Sequence, residues 1–251
     1  MKLLTQERYQ SILSIINERN AVTVAELADM LAISESTVRR DLTALDELGK
    51  LKKVFGGATS LTKPEGMLED SVSLRENLMK AEKTEIARYA AKTINNADFV
   101  YIDSGTTTSR LIDFIENDKA TYVTNGILHA RKLILKGLNA YVLGGKLRQS
   151  TEAVVGAEGI AGLKNFNFSK AFLGTNGIDI DAGFTTPDVE EAMMKESAVR
   201  HSYIAFVLAD HSKFRRVFSV TFSQLKKCCI ITDSLPDQRF AKETVIKEVT
   251  K

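Results

Sequence analysis

LAISESTVRRDLTALDELGKL, residues 31–51, holds Ser34, Ser36 and Thr37 in its first half and then the adjacent pair Arg39 and Arg40. At 100° per residue, Val38, Leu42 and Leu45 share one helical face. Ser36, Arg40 and Thr43 fall on the opposite face, with Arg39 beside them. Ser34 is placed to cap a helix over about residues 35–48, and Gly49 suits its left-handed exit. Just upstream, residues 23–26 (TVAE) form a capping box, which predicts a short helix burying Val24, Leu27 and Leu31. Further upstream, Tyr9, Ile12, Leu13 and Ile16 recur at helical spacing. Two short helices joined by residues 32–34 and packed on a third make a helix-turn-helix.

The outward set on the last helix matches what a major-groove helix needs. Hydroxyls sit in the first turn, where base edges are met, and arginine pairs bidentately with guanine or clamps a phosphate. Residues 51–59, LKKVFGGAT, read as a strand, a glycine turn and a return strand, which is a wing. Lys50, Lys52 and Lys53 would lie along the phosphates. Residues 1–57 hold eight basic and eight acidic side chains. The module is therefore neutral, with its cations gathered on the third helix and the wing. The DNA-contacting set is Ser34, Ser36, Thr37, Arg39, Arg40, Thr43, Lys52 and Lys53. A three-helix module that binds protein is the competing reading; an RNA role lacks an aromatic stacking platform.

These positions resemble a known signature. Arg8, Ile12 and Ile16, then Ser34 and the run TVRRDL over residues 37–42, are similar to the helix-turn-helix of the DeoR family of bacterial transcription regulators. Gly56-Gly57-Ala58 resembles that family's wing end. The resemblance implies double-stranded operator DNA as partner.

Composition sets the outer bounds. With 251 residues, 44% hydrophobic and 26% charged, the chain can bury a core without disulfides or metals. A net charge of +2 announces no global basic field. Cys228 and Cys229 are adjacent in an apolar run, which predicts reduced, strand-buried thiols and a cytoplasmic location. His129, His201 and His211 are scattered and no C-x-x-C is present, so no metal is expected. Neither a signal peptide nor a membrane span is predicted.

Residues 58–73 lose hydrophobic spacing and contain Pro64 and Gly66, the pattern of a linker. The expected division is 1–57, a winged helix-turn-helix; 58–73, a linker; and 74–251, a larger α/β domain. Residues 74–94 read as one amphipathic helix through Leu74, Leu78, Ile86, Tyr89, Ala90 and Ile94. Beyond it, apolar runs at 99–102, 120–123, 139–143, 170–174, 203–209 and 228–232 alternate with helical stretches at 109–117, 127–137, 189–201 and 238–249. That alternation predicts a largely parallel sheet, whose ligands sit beyond the carboxyl ends of the strands.

Four of those strand ends are polar and glycine-bearing. DSGTTT (103–108) opens a helix with free amides and hydroxyls that favour an anion. TNG follows at 124–126, GGKLR at 144–148 and TNGID at 175–179. Together they predict a small, anionic, hydroxyl-rich ligand: a sugar phosphate. Gly105, Thr106, Thr107 and Thr108 would seat the phosphate, helped by Lys146 or Arg148, with Asp103, Ser104 and Gly145 completing the effector site. Thr124, Asn125, Asn176 and Asp179 would meet hydroxyls. Lys195 is either a surface partner of Glu190 or Glu191 or a ligand contact; Lys213, beside Asp210, is a further contact.

DSGTTT, VTNG, LGGK-R, FLGTNGID, GFTTPD-EEA-MK and LADHSKF are similar to motifs of the DeoR-type effector domain. The resemblance implies a fold similar to ribose-5-phosphate isomerase and a phosphorylated-sugar effector. GTNGID followed by GFTTPD-EEA most resembles the fructose-operon repressors, which implies fructose 1-phosphate. The rival is a sugar-phosphate isomerase with an appended DNA-binding domain. Against it, the isomerase-like loop should carry paired acids, and residues 175–179 carry one. No catalytic residue and no cofactor is assigned, and specific operator binding predicts a homo-oligomer.

Overall fold

The computed structural model describes residues 5–19, 21–60 and 72–249, in two compact units, Met1–Leu68 and Glu69–Lys251.

In the smaller unit, α1 (Thr5–Arg19), β1 (Ala21–Thr23), α2 (Val24–Leu31) and α3 (Glu35–Glu47) precede β2 (Leu51–Val54) and β3 (Gly57–Ser60). The capping box forms in full: the Glu26 amide donates to Thr23 Oγ1, and the Thr23 amide donates to Glu26 Oε2. Ser34 caps α3, and Gly49 exits it at φ +61° while the Lys50 amide donates to the Leu45 carbonyl. Ile12, Ile16, Leu27, Val38, Leu42 and Leu45 close the core; Leu31, expected inside, is half-buried.

Two features correct the sequence reading. Strand β1 was not expected; it pairs with β3 to give the antiparallel order β1-β3-β2. Gly57 permits that pairing, because a Cβ there would lie 2.3 Å from the Val22 carbonyl oxygen. The wing's return strand also runs on to Ser60, so a division after residue 57 cuts a paired strand. Of the expected linker, 61–71 lie outside the described residues, and Val72 already opens a helix.

The larger unit opens with α4 (Val72–Asn77) and α5 (Lys80–Lys92). The single helix expected over 74–94 is broken at Met79, whose φ is +49°. Its apolar stripe begins only after the break: Leu74 and Leu78 are exposed, while Ile86, Ala87, Ala90, Ala91 and Ile94 are buried.

Seven parallel strands follow: β4 (Phe99–Ile102), β5 (Thr121–Thr124), β6 (Asn139–Val142), β9 (Phe168–Gly174), β12 (Ser202–Leu208), β14 (Cys229–Thr232) and β15 (Ile246–Glu248). Between them run α6 (Thr106–Asp113), α7 (Ile127–Leu135), the hairpin β7 (Lys146–Arg148) and β8 (Ala153–Val155), and α8 (Gly156–Leu163). A small antiparallel sheet of β10 (Gly177–Asp179), β11 (Gly183–Thr186) and β13 (Val220–Ser223) and helix α9 (Val189–Arg200) complete the unit. The strand order is β15-β14-β12-β9-β4-β5-β6. The chain leaves β4 toward β5 and β6, then returns to lay β9 on the other side of β4. That makes β4/β9 the topological switch point.

Alternation along the strands fills both faces. Val100, Ile102, Phe172 and Leu208 pack with α5, α6 and α7 residues on one side. Tyr101, Leu173 and Val207 pack with α8, α9 and the small sheet on the other. The segment 238–249, expected as a helix, is a 3-10 turn (Gln238–Lys242) and then β15, which pairs with β14. Asp237 accepts from the Arg239 amide and so starts the short turn. The β-branched run of residues 244–246 suits the open edge of β14. Cys228 and Cys229 are free thiols, and burial pushes Cys228 up to about 11. Among the described residues no helix is long and apolar enough to cross a membrane, and no group of three or more acidic, His or Cys side chains is arranged to hold a metal ion.

Candidate functional site

The outward face of α3 keeps its polar residues at the surface. Ser34 Oγ lies 2.9 Å from both Ser36 Oγ and Thr37 Oγ1 while it accepts from the Thr37 amide. Arg39 is tied to Glu35 at 2.5 Å. Thr43 accepts from Lys53 Nζ at 2.7 Å, which joins the wing to the helix. Lys52 is exposed. Arg40 is exposed and has no ion-pair or hydrogen-bond partner among the described residues. Sequence reasoning missed two details. Asp41 is a buried carboxylate held by Arg8 of α1 at 2.5 and 2.9 Å, so the helix that presents Arg40 is braced from behind. Phe55 stands fully exposed at the wing tip.

The second site lies in the larger unit, at the carboxyl ends of β4, β9 and β12. A cleft opens there, where the switch-point rule places ligands. Gly105 is the N-cap of α6, so the free amides of that helix's first turn meet the cleft with Ser104, Thr106 and Thr107. Asn176, Lys195 and Lys213 join them. Asn176 Oδ1 accepts from Thr186 Oγ1 at 3.0 Å. Asp103 lies beneath, 2% exposed; its Oδ2 is paired with Lys195 and accepts from the Gly174 amide at 3.0 Å.

Lys195 is therefore no surface residue. Helix α9 is buried on nearly every side, and the Lys195 ammonium reaches Asp103, the Gly174 carbonyl and the face of Phe222 rather than Glu190 or Glu191. Its partner lies 92 positions away in sequence, which no local pattern reveals.

Eight predicted residues lie off the cleft lining, Asp103 beneath it among them. Thr108 turns inward and donates to the Asp103 and Gly105 carbonyls. Behind it His129 is almost wholly buried, with Nε2 3.0 Å from the Gly105 carbonyl, and burial drives its pKa down to about 4. Thr124 accepts from the Gly126 amide. Asn125 holds the Val154 carbonyl through Nδ2, with Oδ1 buried and unpartnered. Gly145 faces Val154 and Gly159. Lys146 pairs with Glu190 at 2.9 Å and Arg148 with Asp188. Asp179 accepts from the amides of residues 181 and 182, closing its own turn. Thr108, Thr124, Lys146, Arg148 and Asp179 thus already have partners within the protein, as does the Asn125 amide nitrogen.

Conversely, Arg75, Lys83, Thr151, Thr175, Glu191 and Asp210 line the cleft without having been predicted. One of them left a trace in sequence: Lys83 sits three and four residues before Ile86 and Ala87, inside the apolar stripe of α5. It is 3% exposed, and burial pulls its ammonium down to about 8. Thr151 is buried, and its Oγ1 has no partner among the described residues. The cleft thus gathers Arg75, Lys83, Lys195 and Lys213 around a helix N-terminus.

A winged helix-turn-helix joined in one chain to an α/β unit with a polar, cation-lined switch-point cleft defines a ligand-sensing DNA-binding regulator. Residues 8–64 match the DeoR-like helix-turn-helix domain and residues 79–234 the DeoR C terminal sensor domain, and the chain belongs to the DeoR family of transcriptional regulators. It is 39% identical to the uncharacterized HTH-type transcriptional regulator FruR of Bacillus subtilis, over 98% of this chain and 99% of that one. It is 33% identical to the lactose phosphotransferase system repressor of Staphylococcus epidermidis, over 91% and 92%. Among solved structures, ribose 5-phosphate isomerase from Plasmodium falciparum matches with a TM-score of 0.41 and 14% identity over 54% of this chain and 53% of that one, a likeness too slight to bear on the chemistry.

Proposed function

We propose that the protein is a repressor of a sugar-utilisation operon of the fructose type, acting in the cytoplasm as a homo-oligomer and released from operator DNA by a phosphorylated sugar such as fructose 1-phosphate. One observation carries the effector half: a helix N-terminus with free amides and hydroxyls, ringed by Arg75, Lys83, Lys195 and Lys213. Amides and cations together favour a phosphate, while Asn176, Thr151 and Glu191 offer hydrogen bonds to sugar hydroxyls. The resemblance of GTNGID followed by GFTTPD-EEA to the fructose-operon repressors supports the fructose assignment. On the DNA side, Arg40 and the first turn of α3 read bases, and Lys52 and Lys53 hold phosphates. By linkage, effector and operator change each other's affinity by the same factor, commonly worth about 1–3 kcal/mol.

The isomerase alternative requires a carboxylate to move a proton. Asp103 is committed to Lys195 and the Gly174 amide, Asp210 to the Ser212 amide and hydroxyl, and Glu191 is paired with Arg148 at 3.6 Å. We therefore assign binding without turnover. A melting screen with fructose 1-phosphate, tagatose 6-phosphate, ribose 5-phosphate and the unphosphorylated sugars tests this. A phosphorylated ketose should raise the melting temperature, and its parent sugar should not. Sugar-phosphate isomerisation by the pure protein, or no response to any phosphate, would overturn the reading.

A further inference from the structure

The wing ends in a side chain that the fold does not use. Strands β2 and β3 pair as far as Val54 and Gly57, so Phe55 and Gly56 are the whole of the turn. Such a turn asks for glycine at its second central position, which Gly56 fills at φ +80°. The first central position makes no such demand, yet Phe55 stands there fully exposed, beside an exposed Val54. A phenylalanine left in water forgoes the free energy that burial would supply.

The tip is held firmly. The Val24 amide donates to the Gly56 carbonyl at 2.9 Å, and the Lys53 amide donates to Asp46 Oδ1 at 3.0 Å. Lys53 Nζ donates to Thr43, on the outward face of α3 with Ser36 and Arg40, so the wing continues the reading face. Phe55 lies two residues past Lys53, about 7 Å further along the strand. With α3 in the major groove and Lys52 and Lys53 on the phosphates that border it, that step carries the ring over the backbone to the adjoining minor groove. A groove about 6 Å wide excludes a helix and admits a single ring.

The surroundings of the ring choose among occupants. An aromatic anchor for a protein partner would sit within a wide apolar patch. Phe55 instead sits at the end of a strand that carries exposed Lys52 and Lys53, with exposed Lys50 just before it. Two copies meeting tip to tip would press lysines against lysines. A duplex suits both features, with phosphates for the cations and a base stack for the ring.

We propose that Phe55 is a minor-groove wedge: its ring enters between two base pairs, partly unstacks them and bends the operator toward the major groove. This rests on the DNA reading of the small unit and adds to it a mode of recognition that α3 does not supply. Pyrimidine–purine steps unstack most easily, so the operator carries one beneath the wing. Sequence is selected there by deformability, without a hydrogen bond from Phe55.

The probe is a duplex recovered from random sequence by selection on the full wild-type chain. Dyes at its two ends report bending by energy transfer. An adenine analogue, 2-aminopurine, placed at each pyrimidine–purine step in turn, brightens where stacking is lost. Wild type should draw the ends together and brighten one step in each half-site. Phe55→Ala should lose both signals and bind about 10-fold more weakly, the worth of one stacked ring. Phe55→Leu, whose side chain also wedges, should keep the bend. A wild-type complex that stays straight with every step dark overturns the proposal without any substitution. So does a Phe55→Ala variant that bends and binds the duplex as wild type does. A change of oligomeric state in Phe55→Ala, read by sedimentation, would make the ring a contact between copies and overturn it as well. If selection enriches no duplex, the DNA reading itself fails and takes this inference with it.

Discussion

Removing Lys195 should unseat the floor of the cleft, and the size of the loss can be worked out. Asp103 is 2% exposed, and its Oδ2 has two partners: the Lys195 ammonium and the Gly174 amide. In Lys195→Met the stem and its packing are largely kept, but a buried carboxylate is left with one amide, and the Gly174 carbonyl loses its donor. Breaking a buried pair from one side costs about 3–5 kcal/mol. For a unit of this size that lowers the melting temperature by roughly 10 °C. In Asp103→Asn with Lys195→Met no charge remains to be buried, so the double variant should be more stable than the sum of the single losses predicts, by about 2 kcal/mol or more. Tyrosine fluorescence in urea reads the larger unit. The chain has no tryptophan, five of its six tyrosines lie beyond residue 68, and Tyr101 and Tyr122 are fully buried. A Lys195→Met variant within about 1 kcal/mol of wild type, with additive single and double losses, would refute the claim that this pair holds the cleft floor.

Arg40→Ala should weaken operator binding by about 1–3 kcal/mol without changing effector affinity, because Arg40 has no side-chain partner among the described residues; a filter or anisotropy titration with unchanged Kd would remove it from the reading face. His129 sets an acid limit. Its pKa is depressed to about 4 by burial, so no penalty exists above the unfolded value near 6.5. As pH falls from about 6.5 toward 4 the unfolded chain takes a proton that the folded chain refuses, and stability drops by up to about 3 kcal/mol. His129→Asn should flatten that slope of melting temperature against pH, and an identical slope in the variant would place the acid sensitivity elsewhere.

Much of the small unit could be read in sequence because its determinants are local. A capping box, a serine cap and a glycine exit each act over no more than five residues of chain, and the face of α3 follows from helical period alone. Strand β1 escaped because three residues carry no period; it exists through pairing with β3. In the larger unit the apolar runs marked six strands of the parallel sheet, and the switch-point rule turned them into a site. The errors share one physical cause: tertiary partners outcompeted local pattern. Residues 244–246 sit in a stretch with helical spacing, yet β14 offered an open edge. Helix α8 was hidden by three glycines in GAEGIAGL, which lower helix propensity until packing overrides it. Asn125 and Asp179 look like ligand readers, but Asn125 donates to the Val154 carbonyl and Asp179 accepts from the amides of its own turn. Lys83 was passed over because an apolar stripe invites attention to its apolar members, when the lysine inside it was the informative residue.

The account's central claim is that one chain reads a duplex with α3 and senses a phosphorylated sugar at the first turn of α6. Anisotropy of a labelled operator fragment, titrated with fructose 1-phosphate, tests both halves in one cuvette. Wild type should release the DNA as the ligand is added, and the Thr106→Ala, Thr107→Ala double variant should bind the same DNA but hold it through the titration. Equal release by the double variant would contradict the claim and move the sensing site away from α6.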